Sequence, residues 1–151
     1  MTQLASAQAI DAVAALIASV SGMSAKVFTS RAWPINDAIL PCWRVQAEDE
    51  EITQQGVSFP TVQQHDLIVH AHGYARATAD LDDVLHAMAA AALTKLFASA
   101  ASSRLSPLNC SMALTRIERA LVEEGEAAVG RITLALRVRF VTRSNAPETI
   151  H

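Results

Sequence analysis

The sequence predicts an α+β domain in which two helices pack on one face of a mostly antiparallel five-stranded sheet, in the order αβββαββ. Two segments with apolar residues at helical spacing, and five with strand-like patterning, indicate these elements. Two helices can cover only one face of such a sheet, so we expect the other face to stay open. The chain has 151 residues, the size of one ordinary domain. No repeat or composition shift divides it, and we expect a single domain over residues 1–151.

Both predicted helices have an apolar stripe and end signals. The first covers residues 6–20, with Ser6 as its expected cap and Gly22 just beyond its end. The second is expected to begin after Thr78 and to fade near Ser99. Its buried stripe would be Leu81, Val84, Leu85, Met88, Ala92 and Leu96.

The predicted strands are residues 26–31, a segment that opens at Pro41, residues 61–71 before Gly73, residues 112–123 and residues 129–142. A loop is expected over residues 102–109. The last strand alternates most clearly, with Ile132, Leu134, Leu136, Val138 and Phe140 toward the core and Arg131, Thr133, Ala135, Arg137 and Arg139 away from it. In the third strand, Asp66, Ile68, His70 and His72 should share the open face, and His65 should lie opposite.

An acidic run, Glu48, Asp49, Glu50 and Glu51, follows the second predicted strand. Polar residues, Gly56 and Pro60 come after it. This composition predicts a long mobile connection, either a solvated hairpin tip or a loop that becomes ordered against a neighbouring subunit.

The overall composition favours association with other proteins. Apolar residues make up 51% of the chain and charged residues only 18%, against a usual quarter, so other subunits could cover part of the surface. The formal net charge of −3 gives no general attraction to nucleic acid or anionic lipid. We expect neither a signal peptide nor a membrane span. Cys42 and Cys110 are expected to be buried free thiols rather than a disulfide.

The chain shows no catalytic motif of the kinds that sequence can reveal. No nucleophile elbow, dinucleotide-binding glycine pattern or phosphate-binding loop is present. His70 and His72 could converge on a metal with Asp66 as a third ligand, but a zinc site needs more than two histidines, and ordinary strand histidines are the favoured interpretation. We expect no enzyme activity, cofactor or metal.

The arginine stripe Arg131, Arg137 and Arg139 is the feature most suggestive of a partner. It could be a solvated strand face, a subunit contact with acidic groups, or a contact with passing nucleic acid. No aromatic residues interleave with it, which disfavours a dedicated nucleic-acid reader. The predicted interface therefore consists of Arg131, Arg137, Arg139, Glu48, Asp49, Glu50 and Glu51.

The order of several short segments resembles a known family. An Ala-rich helix precedes Val-Phe-Thr-Ser-Arg-Ala-Trp-Pro at residues 27–34 and Leu-Pro-Cys-Trp-Arg-Val at residues 40–45, and an acidic run follows. Asp-Leu-Ile-Val at residues 66–69 comes before Leu-Asp-Asp-Val-Leu at residues 81–85, and the hairpin strand of residues 117–124 leads to Val-Gly-Arg-Ile-Thr-Leu at residues 129–134. In this order and spacing the chain resembles the tail terminator, or minor tail (tail completion), proteins of long-tailed bacteriophages.

The resemblance implies a structural role in a phage or prophage virion. Such proteins form rings, commonly hexameric, that cap the tail tube, stop its polymerisation and provide the surface for joining the head. The implied partners are further copies of the chain, the tail tube protein and a head–tail connector protein, with DNA passing through without specific binding and no membrane involved. The implied location is the virion tail, and the host cytoplasm during assembly.

Two other functions remain open at this stage. One is a small metal-dependent enzyme that uses His70 and His72 with Asp66. The other is a small-ligand-binding α+β module with a pocket between the helices and the sheet. The missing further metal ligand disfavours the first, and the Ala- and Leu-filled helix stripes disfavour the second.

Overall fold

The computed structural model describes residues 3–29, 39–98, 104–105, 108–123 and 128–151. The helices are α1 (Ala5–Ala18) and α2 (Leu81–Leu96). The strands are β1 (Val27–Phe28), β2 (Cys42–Gln55), β3 (Val62–Ala77), β4 (Arg104–Leu105), β5 (Cys110–Glu123) and β6 (Ala128–Arg143).

The strands form one sheet in the order β1-β2-β3-β6-β5-β4. Only β1 and β2 are parallel, and every other neighbouring pair is antiparallel. The predicted α+β class and the predicted order of elements are confirmed, although the sheet is mixed rather than purely antiparallel. The two-residue β4 is an addition to the predicted strands, and it lies within the segment predicted as a loop.

Both helices lie on the same face of the sheet, as predicted. Helix α2 packs on β3 and β6, and α1 packs on α2 and β2. Beneath them, the two central strands supply the fully buried centre of the core, which consists of Leu67, Val69, Ala71, Ile132, Leu134, Leu136 and Val138. The core-facing set predicted for the last strand is therefore confirmed.

The acidic run does not form a mobile connection, and that prediction is wrong. Residues 48–51 belong to β2, which continues to Gln55 and pairs with β3 along this length. The hairpin turn lies further on, between Gln55 and Val62. Acidic residues have low strand propensity, but a long antiparallel partner provides ladder hydrogen bonds that override a local preference.

Several element boundaries also differ from the prediction. Strand β3 runs through Gly73 to Ala77, because it pairs with β6 along this whole length. The ring of Trp43 lies over the position where Gly73 has no side chain. The residues that precede the helices are Leu4 and Asp80 instead of Ser6 and Thr78, and neither makes a side-chain capping hydrogen bond. In the stripe predicted for α2, Val84 is exposed.

The two cysteines are buried free thiols, as predicted. Burial raises the pKa of the Cys110 thiol to about 11, and it also raises the pKa of the Cys42 thiol. Several predicted features lie outside the described residues, namely the segment at residues 30–34, the helix end near Ser99 and the turn at Gly125 and Glu126.

We predict that Gly73→Ala destabilises the protein. An added Cβ would lie 2.9 Å from Cη2 of Trp43, whose rigid ring is itself buried, so the strands must shift. The expected loss is about 1–3 kcal/mol in the free energy of unfolding, measured by denaturant titration. In a protein that already carries Trp43→Leu, Gly73→Ala should lower the free energy of unfolding by clearly less, because the clashing ring is absent. An equal cost in both backgrounds would contradict this explanation.

Candidate functional site

A β-bulge in β2 decides which acidic side chains reach the open face of the sheet. Ala47 pairs with Val69 and Asp49 pairs with Ile68, so Glu48 is the extra residue. Glu48 Oε1 accepts a hydrogen bond of 2.7 Å from Gln46 Nε2 and lies 3.7 Å from Nδ1 of the open-face residue His70. Both Glu48 and Asp49 therefore belong to the open face.

The bulge sends Glu50 to the opposite, helix-covered face. There Nδ1 of His65 donates a hydrogen bond of 2.7 Å to Glu50 Oε1, and Nε2 of the same ring lies 2.7 Å from Thr142 Oγ1. The ring also stacks on Phe140 at a centroid distance of 4.6 Å. Glu50 thus has a partner within its own chain and is separated from the other predicted interface acids by the sheet.

The structure brings two of the predicted acids, Asp49 and Glu51, together with two of the predicted arginines, Arg137 and Arg139, on the open face. Arg139 Nε donates a hydrogen bond of 2.5 Å to Asp66 Oδ1 from the neighbouring strand. Arg137 borders a surface cavity of about 110 Å³ together with Ile68, Asp66 and the β2 acids Asp49 and Glu51. This ionic patch, defined by Asp49, Glu51, Asp66, Arg137 and Arg139, presents both signs of charge side by side.

Arg131 lies apart from the ionic patch, further along β6 and opposite Tyr74 of β3. It is half-buried, and its Nε has no hydrogen-bond partner among the described residues. Its positive charge acts on His72, where it disfavours protonation of the ring. The three predicted arginines therefore occupy two different environments.

Glu48, His70 and His72 form a cluster between the ionic patch and Arg131. One potential ligand atom from each residue lies within 4.8 Å of the others. The histidines share the open face, as predicted, and their rings meet edge to face at a centroid distance of 5.6 Å. The expected third ligand Asp66 is bonded to Arg139 instead, and Glu48 takes its place. Plain alternation with Gln46 already gives Glu48 this face, and sequence reasoning missed it as a ligand because the acidic run was assigned to a connection after the strand.

The hydrogen bonds of His72 assign its tautomer. Its Nε2 lies 3.2 Å from Nε2 of Gln46, an amide nitrogen that can only donate, so the ring nitrogen accepts. The ring proton is therefore on Nδ1, which donates to Thr133 Oγ1 at 2.7 Å. Burial, followed by the positive charges of Arg131 and His70, lowers the pKa of His72 to about 4. The ring is neutral at physiological pH, with one nitrogen lone pair facing the cluster.

Two surfaces with exposed apolar side chains lie outside the core. At the end of the β2–β3 hairpin, which we call the hairpin tip, Val57 is 98% exposed and Phe59 is 80% exposed. Between α2 and β5 an open groove of about 710 Å³, here called the apolar groove, is lined by Leu93, Thr94, Phe97, Ala98 and Leu114. It lies where the small-ligand alternative expected a pocket, but it is a shallow surface feature. No helix in the described ranges is long and apolar enough to cross a membrane.

Comparisons with known proteins give distant structural likenesses and no family. No protein-family model matches the chain, and no curated protein does. A chain in a solved structure described as "Virion of native gene transfer agent (GTA) particle" resembles it with a TM-score of 0.48 and 21% identical residues, over 89% of this chain and 90% of that one. A likeness this remote carries no argument about function.

We predict that His72 makes the protein less stable as the pH falls. Between about pH 6.5 and pH 4 the unfolded chain binds a proton at this ring and the folded chain does not, so the free energy of unfolding decreases through that window. The charged and titratable groups that act on the ring are Arg44 and Glu48 of β2, His70 of β3 and Arg131 of β6.

The comparison with His72→Gln isolates this effect, because glutamine keeps polar atoms at the site but does not titrate. Denaturant unfolding at pH 7 and pH 5, in the presence of a chelator, should show a smaller loss of stability in the variant, by about 1–2 kcal/mol. Identical losses in the two proteins would show that His72 does not cause the decrease.

Proposed function

We propose that the chain is a structural protein of a phage or prophage tail that assembles with copies of itself into a ring. The ring, commonly a hexamer in the family that the sequence resembles, would cap the tail tube, end its polymerisation and provide the surface for joining the head. The protein would act without catalysis or a cofactor, in the virion tail and, during assembly, in the host cytoplasm. The order of short motifs along the chain supports this proposal.

The observation that carries the proposal is the chemistry of the sheet face that neither of the two described helices covers. A sheet with a solvated outer face is ordinary in antiparallel proteins, so the open face alone does not require a partner. Its chemistry is more specific, because the ionic patch lines up acids and arginines from β2, β3 and β6. Such a patch can meet a second charged surface with several paired contacts, which favours orientation and specificity.

The exposed apolar groups support contacts between unlike surfaces. A ring needs a heterologous interface, in which one surface of a subunit meets a different surface of the next. The hairpin tip and the apolar groove are two such surfaces, the first at the turn between β2 and β3 and the second beside β5. Val57 and Phe59 contribute almost nothing to the core of their own chain, so burying them against a neighbour would add favourable free energy to the association.

The proposed ring also sets a requirement for the arginines. The partners would be the tail tube protein and a head–tail connector protein, and DNA would pass through the lumen without specific binding. Arginines that line a lumen would bind phosphate groups and hinder that passage. We therefore assign Arg137 and Arg139 to a contact with a neighbouring subunit or with the tail tube.

We predict that Arg137→Glu combined with Arg139→Glu prevents assembly. The double reversal places two negative side chains beside Asp66 and the β2 acids Asp49 and Glu51, and it removes the cationic half of the ionic patch. Light scattering over a concentration range, followed by electron microscopy with and without tail tubes, should show rings or capped tubes for the unmodified chain and none for the variant. Circular dichroism would establish that the variant is folded.

The matched control for this variant is Lys95→Glu combined with Arg119→Glu. It makes the same change in net charge, but Lys95 lies on α2 and Arg119 bonds to His86 of that helix, so both belong to the helix-covered side. The control should assemble normally. The proposal fails if the unmodified chain stays monomeric at every concentration and does not bind tail tubes, and the arginine assignment fails if the double reversal assembles as well as the control.

We also predict that Val57→Ser combined with Phe59→Ser weakens assembly and leaves the subunit equally stable. Both side chains are almost fully exposed in the single chain, so their removal should change the free energy of unfolding by no more than about 0.5 kcal/mol. The ring should form only at a higher protein concentration, as measured by sedimentation velocity. Unchanged assembly would exclude the hairpin tip from the subunit contact.

A further inference from the structure

We propose that Glu48, His70 and His72 bind one divalent transition-metal ion, with zinc as the reference case, on the open face of the sheet. This inference concerns single subunits and does not depend on the proposed ring. Two imidazoles and one carboxylate are a donor set that binds zinc in proteins, usually with a water molecule or another ligand in the remaining position.

The backbone places the three donors together for separate reasons. His70 and His72 lie two residues apart on β3, so they share a face, and Glu48 lies on the same face of β2, two residues after Gln46, which pairs with His70. Their ligand atoms lie within 4.8 Å of one another, and the Glu48–His70 pair is already at 3.7 Å. Ligand atoms of a tetrahedral zinc site are about 3.4 Å apart, given bonds of about 2.1 Å. Small side-chain rotations would close the difference.

His72 is already held in the state that a metal ligand requires. Its Nδ1–H donates to Thr133 Oγ1, and this leaves the lone pair of Nε2 for the cluster. A hydrogen bond from the second ring nitrogen to a protein oxygen is the usual support for a metal-bound histidine. The hydrogen bond from Gln46 to Nε2 would be replaced by the metal, and the amide of Gln46 can rotate toward solvent because this residue is half-buried.

The surrounding charges set the expected strength of binding. Arg131 and Arg44 act on His72 as positive charges and oppose a cation, whereas Glu48 contributes one negative charge to the site. We therefore expect weaker binding than at a structural zinc site with four protein ligands. Glu48 is exposed, His70 is half-buried and His72 is buried, so an ion could reach the cluster from the side of Glu48 and His70.

Titration of the dilute, chelator-stripped chain with Zn²⁺ in a calorimeter tests the proposal. We expect one equivalent to bind, and Co²⁺ at the same site should give visible absorption bands typical of low coordination number. Glu48→Gln and His70→Gln should each lower the Zn²⁺ affinity at least tenfold. Thr133→Val should lower it by about tenfold through loss of the hydrogen bond to His72.

The chain offers matched controls on the other side of the sheet. Glu50→Gln and His65→Gln change the same residue types in a comparable contact, on the helix-covered face, and both should keep the affinity of the unmodified chain. The proposal is overturned if the unmodified chain binds no equivalent of Zn²⁺, or if Glu48→Gln and His70→Gln bind Zn²⁺ as tightly as the unmodified chain. It is also overturned if the two control variants lose as much Zn²⁺ affinity as Glu48→Gln and His70→Gln lose. Because single subunits are titrated, failure of ring assembly would leave this result unaffected.

Discussion

The pairing of β3 with β6 is the constraint on which the rest of the structure depends. The two strands are 16 residues long and pair along their whole length, from Val62 opposite Arg143 to Ala77 opposite Ala128, without a shift in register. Because side chains alternate strictly in such a ladder, one continuous apolar surface forms toward the helices and one polar surface forms on the reverse. A slip of one residue would exchange the two surfaces and bury Arg137 and Arg139.

The outer strands are less regular than this central pair. Register shifts occur in β2 between Ala47 and Asp49, and in β5 between Leu114 and Arg116 and between Leu121 and Glu123. The shift in β2 brings Asp49 and Glu51 to the face of the arginines, and it also explains why Glu50 bonds to His65 on the other face. An irregular strand beside a regular one thus supplies side-chain positions that perfect alternation excludes.

The sequence was informative where a pattern is long and uninterrupted. The alternation from Ile132 to Phe140 predicted the core face of β6 correctly, and the two apolar helix stripes correctly predicted a sheet covered on one side. The extent of β2 was not predictable in this way, because its acidic residues have low strand propensity and become strand only through pairing with β3. The same applies to Gly73, which lies within a strand through its pairing with β2 and β6 and leaves room there for the ring of Trp43.

For the candidate site, the sequence predicted neighbours on one strand but not partners across strands. The shared face of His70 and His72 follows from their spacing alone, whereas the role of Glu48 depends on the pairing of β2 with β3 and the bond of Asp66 depends on Arg139. The arginines and acids predicted as complementary surfaces of different subunits are partly paired within one chain. Local spacing cannot distinguish pairing within a chain from pairing between chains, because both need the same residue types.

The bulge at Glu48 has a consequence for how chains of this kind can diverge. If the bulge closed without loss of a residue, so that Glu48 paired with Ile68, every later side chain of β2 would move to the opposite side; Asp49 and Glu51 would leave the arginines and Glu50 would join them. Deletion of Glu48 would instead keep these three side chains on their present faces. In the first case the amino-acid composition would not change at all, yet the electrostatic character of both surfaces at this end of the sheet would. Among relatives, the presence of this bulge should therefore reveal more about binding partners than the number of acidic residues in the strand.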